Sequence, residues 1–169
     1  MIRLLIPNDA ANYRQLRLTA LSSDPKSFLS SVESEEKIPL ENFANKLFRN
    51  ATPPIYGYYG YLNEKQELIG CIHLADEWIF KRRHIVTFNE LYVSPDFRRR
   101  GIAAELINHC FNLLKTIPAK EQVELHVNSE NHQAIKLYQK LGFVQVATLP
   151  KAVKETDGYQ DEHLFIYNI

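Results

Sequence analysis

The run Leu91-Tyr92-Val93-Ser94-Pro95-Asp96-Phe97-Arg98-Arg99-Arg100-Gly101-Ile102-Ala103-Ala104 holds the residues of this sequence best placed to do chemistry. It reads as a strand, a short turn and the first turn of a helix. The opening amides of a helix have no intrahelical acceptor and sit at the positive end of its dipole, so such a junction offers N–H donors to phosphate oxygens. Gly101 removes a side chain that would hold a diphosphate away from the backbone, and Ala103 keeps the next approach narrow. Arg98, Arg99 and Arg100 strengthen the field. The same residues also read more plainly, as an eased turn beside a solvated basic surface.

The surrounding pattern supplies the elements that must position this turn. Ile2 to Ile6 reads as a strand ended by Pro7, with Asn8 or Asp9 capping a helix that carries Tyr13, Leu16 and Ala20. Pro39 opens a second helix, in which Leu40, Phe43, Ala44, Leu47 and Phe48 form one stripe. Between them, Asp24 to Lys37 is polar and serine-rich, which suggests a mobile connection or a short helix near the surface. Pro53-Pro54 closes the helical region. Ile55 to Leu62, Glu67 to Ala75 and His84 to Val93 read as an antiparallel meander, with polar turns at Asn63 to Gln66 and Lys81 to His84. Gly101 to Ile117 is helical, Gln122 to Asn128 strand, Asn131 to Leu141 helical, Phe143 to Leu149 strand and Glu162 to Ile169 a final strand. The order β-α-α-β-β-β-α-β-α-β-β predicts a mixed α+β domain over residues 1–169, with helices covering a twisted sheet.

The arginine–glycine turn resembles motif A of the GNAT superfamily of acyl-CoA-dependent N-acetyltransferases, Q/R-x-x-G-x-G/A, with Arg98, Gly101 and Ala103 in the three defined places. Asn131-His132-Gln133-Ala134-Ile135-Lys136-Leu137-Tyr138-Gln139-Lys140-Leu141-Gly142-Phe143 is similar to its motif B, N-x-x-A-x-x-L-Y-x-K-x-G-F. The resemblance implies a central mixed sheet of about seven strands with helices on both faces. It implies acetyl-CoA as co-substrate without a metal, and a primary amine of a small molecule or peptide as acceptor, attacked directly in a ternary complex. It places the pantetheine arm on the backbone of Leu91 and Val93, and the diphosphate on amides of the Arg98 to Ala104 turn, Ile102 included. Asn131 would hydrogen-bond the cofactor, and Tyr138 would face the sulfur. A phenol with a pKa near 10 can donate a proton to a departing thiolate. A ring packed beneath the sheet is the simpler reading of Tyr138.

A free alkylamine, with a pKa of about 10.4, must lose a proton before it attacks. Many family members place a carboxylate on the fourth strand, and the candidate here is Glu90. Alternation puts Asn89 and Glu90 on opposite faces, so only a bulge or twist decides which faces the cleft. Asn89 stands where relatives carry a first acid, and a structural carboxylate is the competing reading of Glu90. His73 and His126, on the third and fifth strands, could border a cleft, although a lone strand histidine is more often structural. Tyr159, Asp161 and Glu162 begin the last strand, where relatives often border the acceptor pocket. Tyr56, Tyr58, Tyr59 and Tyr61 suggest sheet packing first and acceptor recognition second. The non-catalytic alternative is an acyl-CoA-binding module that keeps the phosphate cradle and has lost the acceptor chemistry.

Twenty basic residues balance twenty acidic ones in 169, which argues against a protein that coats nucleic acid or an anionic membrane surface. Cys71 and Cys110 lie apart, outside any metal or redox spacing, and fit a reducing, cytoplasmic compartment. The apolar run Met1 to Pro7 is too short for a signal peptide. Homodimerisation is a fold-level expectation only.

Overall fold

Period-two alternation through the middle of the chain and three-to-four spacing on either side resolve, in the computed structural model, into one seven-stranded sheet flanked by helices. The structure describes residues 1–51 and 56–169. The strands are β1 (Ile2–Leu4), β2 (Gly57–Leu62), β3 (Leu68–Asp76), β4 (Ile85–Val93), β5 (Gln122–Asn128), β6 (Val144–Glu155) and β7 (Gly158–Asn168). The helices are α1 (Ala10–Ser23), α2 (Val32–Glu35), α3 (Leu40–Asn50), α4 (Ile102–Leu114) and α5 (His132–Lys140). The sheet order is β1-β2-β3-β4-β5-β7-β6. Pro53, Pro54 and Ile55, expected to close a helix and begin a strand, lie outside the described residues. Among those residues no helix is long and apolar enough to cross a membrane.

Each face of the sheet has its own core. Leu106, Ile107, Cys110 and Phe111 of α4, with Tyr138 of α5, pack on Val86, Phe88, Val123, Leu125 and Val127. On the opposite face Tyr13, Leu16 and Ala20 of α1 and Phe43 and Leu47 of α3 pack on Leu5, Tyr58, Cys71 and Tyr92. Every neighbouring pair of strands is antiparallel except β4 and β5, which run parallel through only three pairs, Ile85↔Gln122, Val86↔Val123 and Thr87↔Glu124. Beyond Thr87 the two strands continue to Val93 and Asn128 without a ladder between them. The sheet therefore opens into a V, with β4 as one wall and β5 as the other.

One expectation is corrected and one open alternative is decided. The last two strands form a longer hairpin than the alternation suggested, with β7 beginning at Gly158 rather than Glu162, and Tyr159, Asp161 and Glu162 fall at its start as expected. Pro150 and Lys151 hide the continuation of β6. They sit in a bulge, with Lys151 at φ 54°, between the pairs Leu149↔Glu162 and Val153↔Gln160, and an edge strand tolerates both features. For the segment from Asp24 to Lys37, the short-helix alternative holds and the mobile one does not. The segment forms a 3-10 turn at Pro25–Ser27 and the short α2, and it bridges both walls of the V. Arg98 donates to Asp24 at 2.5 Å and 3.3 Å on the β4 side. On the β5 side Asn128 Nδ2 donates to Lys26 O at 3.0 Å and Asn131 Nδ2 to Ser27 Oγ at 3.2 Å.

Candidate active site

The V is filled by a cavity of about 1160 Å³ that runs from the start of α4, past β4, to the inner faces of α1, β5 and β7. At its α4 end, Arg99 and Gly101 take positive φ of 60° and 85°, which turns successive amides toward the cavity. The amides of Phe97, Arg98 and Glu105 donate to Ser94 O, Pro95 O and Gly101 O. Those of residues 99–104 donate to no backbone acceptor among the described residues. A Cβ built on Gly101 would meet only Glu105 Oε1, at 3.9 Å. This free space and the unbonded amides fit a diphosphate.

The three arginines separate. Arg98 lines the cavity, but its guanidinium holds Asp24 and donates to Val93 O at 2.9 Å. The bond to Asp24 raises its pKa and outweighs burial. Arg99 is free to meet an anion from the lining, whereas Arg100 donates to Asp96 O and does not line the cavity. Ile102, Ala103 and Ala104 line it as expected. Asn131 caps α5, accepting from Ala134 N at 3.1 Å, and its amide nitrogen donates to Ser27 Oγ, which leaves one N–H and one lone pair of its side chain on the cavity lining.

Along β4, the Ser94 amide donates to Ile69 O on β3. Strand alternation then turns the backbone groups of Val93 and Leu91 the other way, into the gap toward β5. With Val93 O taken by Arg98, the Val93 N–H and both groups of Leu91 can pair with an extended ligand. Tyr138 lies across the gap, 8% exposed, with its ring against Phe143 and Phe165 at centroid distances of 5.7 Å and 6.2 Å. Its hydroxyl has no hydrogen-bond partner among the described residues. Burial pushes its pKa up to about 12, so the phenol keeps its proton at neutral pH.

The direction of Glu90 is decided by a bulge. The β3–β4 register slips between Cys71↔Tyr92 and His73↔Asn89, and Glu90 takes φ 52°. Two successive residues, Asn89 and Glu90, thereby fall on one side of the strand, with Glu90 reaching α1 and α3. The Glu90 carboxylate accepts from Tyr13 at 2.8 Å, Tyr58 at 3.2 Å and Lys46 at 3.0 Å and 3.3 Å, with Arg17 Nη1 3.5 Å away. Burial alone would raise its pKa. The charges of Lys46 and Arg17 and the bonds from Lys46 and Tyr13 overcome that and hold it below the usual value. Two carboxylate oxygens offer about four lone-pair positions, and here these donors occupy them. Beside it His73 stacks on Tyr58 at 4.1 Å, and burial lowers its pKa to about 4, which keeps the ring neutral. On the far wall His126 Nδ1 lies 3.4 Å from Glu162 Oε2, and both residues line the cavity.

Sequence reading missed Tyr13, Arg17, Glu35 and Lys46. Arg17 carried a signal, a cation on the stripe of Tyr13, Leu16 and Ala20 that α1 buries. It is 7% exposed and donates to Glu35 at 2.8 Å and 3.1 Å. Removing one partner of a buried pair costs about 3–5 kcal/mol. Arg17→Met, which strands Glu35 and crowds Glu90, is expected to lower the melting temperature by about 10 °C, at about 2–4 °C per kcal/mol, in a calorimetric scan.

Residues 17–143 match the family model for the acetyltransferase (GNAT) family. An N-acetyltransferase of Methanocaldococcus jannaschii is 38% identical over 77 residues, covering 44% of this chain and 34% of that protein. The matched stretch therefore spans about a third of that relative. An N-alpha-acetyltransferase of Sulfurisphaera tokodaii is 30% identical over 127 residues, covering 62% of this chain and 74% of that protein. Among solved structures, an acetyltransferase of the GNAT family from Streptococcus pneumoniae superposes with a TM-score of 0.87 at 20% identity, covering 100% of this chain and 99% of that one.

Proposed function

Because this chain belongs to the GNAT family of acetyltransferases, we propose that it transfers an acetyl group from acetyl-CoA to a primary amine of a small molecule or peptide, by direct attack in a ternary complex. The observation that carries this reading is the run of unbonded amides at residues 99–104, opening into a V where the backbone of Leu91 and Val93 and the free phenol of Tyr138 converge. Bound there, acetyl-CoA supplies an activated thioester.

The residues divide the remaining work. Amides 99–104 and Arg99 hold the diphosphate. Leu91 and the Val93 N–H pair with the amide-bearing arm as a strand would, which fixes the depth of the reacting carbonyl. Tyr138 holds a proton next to the place where sulfur becomes a thiolate. Its hydroxyl, left without a partner, favours an enzyme over a binding module, because a purely structural buried phenol normally finds an acceptor. Glu90, with its lone pairs filled and its charge paired with Lys46 and Arg17, ties the bulge of β4 to α1, α3 and β2 and so holds that wall of the cleft in place. Cys71 and Cys110, buried thiols outside any disulfide, accord with a cytoplasmic location.

The test is thiol release from acetyl-CoA against a panel of primary amines, including α-amino peptides, amino acids and polyamines. Release that depends on one class of amine and yields its amide supports the reading. Acetyl-CoA binding with no amine-dependent release across the panel would leave the acyl-CoA-binding module.

A further inference from the structure

Accepting the transfer reaction proposed above, we infer that His126, oriented by Glu162, removes the proton from the incoming amine. The reasoning starts from Glu90. A base needs an open lone pair, and every acceptor position on that carboxylate is engaged by Tyr13, Tyr58, Lys46 or Arg17. His73 sits under the ring of Tyr58 on the same wall, where burial keeps it neutral and a poor proton acceptor.

The opposite wall is different. Val123, Leu125 and Val127 point into the core under α4, so alternation turns Glu124, His126 and Asn128 to the face lined by α1 and the Pro25–Ser27 turn. Extending the parallel register past Thr87↔Glu124 by two residues brings His126 level with Asn89, across the gap from the bulge. The amine acceptor must pass between these two positions to reach a carbonyl held beside Leu91. His126 is 43% exposed in its side chain, and Glu162, on β7, lies against Nδ1 at 3.4 Å. A proton on Nδ1 is the one nearest that carboxylate, which leaves the lone pair on Nε2 of a ring that lines the cavity. The other titratable or charged groups on this side of the sheet include Glu124, which Arg82 engages at 3.1 Å, the Glu90 cluster and neutral His73 across the gap, the Asp24–Arg98 pair, and Lys26 beside Glu130.

The step balances. The ammonium gives one proton to Nε2, and the imidazolium so formed is stabilised by Glu162. The freed nitrogen lone pair forms the C–N bond as the carbonyl π pair moves to oxygen. Collapse breaks the C–S bond, the thiolate takes the Tyr138 proton, and the second proton lost from nitrogen restores the phenol. His126 then releases its proton through its exposed edge, so each turnover liberates one proton, one amide and one thiol. His126 is thus a catalytic residue and Glu162 a positioning residue.

The experiment measures pH–rate profiles with one accepted amine for the wild type, His126→Gln, Glu162→Gln and Glu90→Gln, together with kcat, the KM for acetyl-CoA and melting curves for each. His126→Gln is expected to lose about 10²-fold in turnover at neutral pH, with the deficit shrinking as pH rises toward the pKa of the amine and the melting temperature unchanged. Glu162→Gln, which keeps the size of the side chain, is expected to lower kcat with the KM for acetyl-CoA and the melting temperature little changed, as a positioning role requires. A His126→Gln profile parallel to the wild type at every pH overturns the assignment, as does loss of the acid limb in Glu90→Gln with His126→Gln unaffected. A wild type that is inactive with every amine overturns the underlying transfer reaction instead, a result separable from either.

Discussion

Acetyl-CoA binding is expected to fall by at least about 10²-fold in Gly101→Glu, the largest effect on affinity that the structure implies for a single substitution. The residue stands at the N-terminal cap of α4 in the left-handed region, φ 85°, with open space where a Cβ would project. A carboxylate there would come within about 5 Å of the diphosphate. At an effective dielectric of about 20, one pair of like charges at that distance costs about 3 kcal/mol, enough for a hundredfold loss. The left-handed backbone adds a separate penalty of about 1–2 kcal/mol against folding. Gly101→Ala isolates it, since alanine bears the strain without the charge. Calorimetric titration of both folded variants checks the division. Alanine is expected to melt earlier and bind nearly as wild type, whereas glutamate melts earlier and does not bind. Wild-type affinity in the glutamate variant would remove the phosphate cradle from the site.

Turnover in Tyr138→Phe is expected to drop by about 10²-fold with the KM for acetyl-CoA little changed. The ring makes its contacts through carbon, edge-on to Phe143 and beside Phe165, and phenylalanine retains them. Because the hydroxyl bonds to nothing among the described residues, deleting it strands no buried partner, and the melting temperature is expected to hold. The loss therefore isolates the proton. With its pKa raised to about 12 by burial, the phenol stays protonated across the whole practical assay range, so the wild-type profile carries no basic limb from this group below about pH 11. Stopped-flow measurement of the chemical step is the direct check. Wild-type turnover would assign Tyr138 to packing and give the proton to water.

What could be read from sequence was what is local in the chain. The strand, turn and helix around Gly101 and the helix ending in Tyr138 are continuous stretches whose backbone and side chains act together, so spacing alone placed them. The three helices longer than two turns nearest the site, α1, α4 and α5, fell within a few residues of their expected ends for the same reason. Glu90 was not legible in this way. Its direction depends on one residue taking φ 52°, and its partners Tyr13, Lys46 and Tyr58 come from α1, α3 and β2. Strict alternation cannot report a bulge that lies between two apolar residues of a strand. The tip of the β6–β7 hairpin escaped because Pro150 and Lys151 interrupt the pattern without interrupting the pairing. In the serine-rich segment after α1 a short helix was one of two open readings, because its Ser31–Ser34 cap is local while the bonds that fix it, to Arg98, Asn128 and Asn131, come from far along the chain.

That segment has a consequence for anyone altering what the protein accepts. The residues a designer would vary to reshape the acceptor pocket include Lys26, Ser27 and Phe28, which line it. Their neighbour Asp24 is clasped by the same arginine that sits at the head of the diphosphate turn, and Ser27 by the residue that caps α5. On the function proposed above, acceptor choice and coenzyme affinity are mechanically geared, and a library that randomises the whole stretch is expected to discard most members for failing to hold the coenzyme. Among the described residues the Lys26 side chain meets only the exposed Glu130, and Leu29 is exposed, so these two can be diversified while Asp24, Ser27 and Phe28, whose ring packs on Arg17 and Tyr92, stay fixed. The evolvable part of this loop is the part that does not touch both walls.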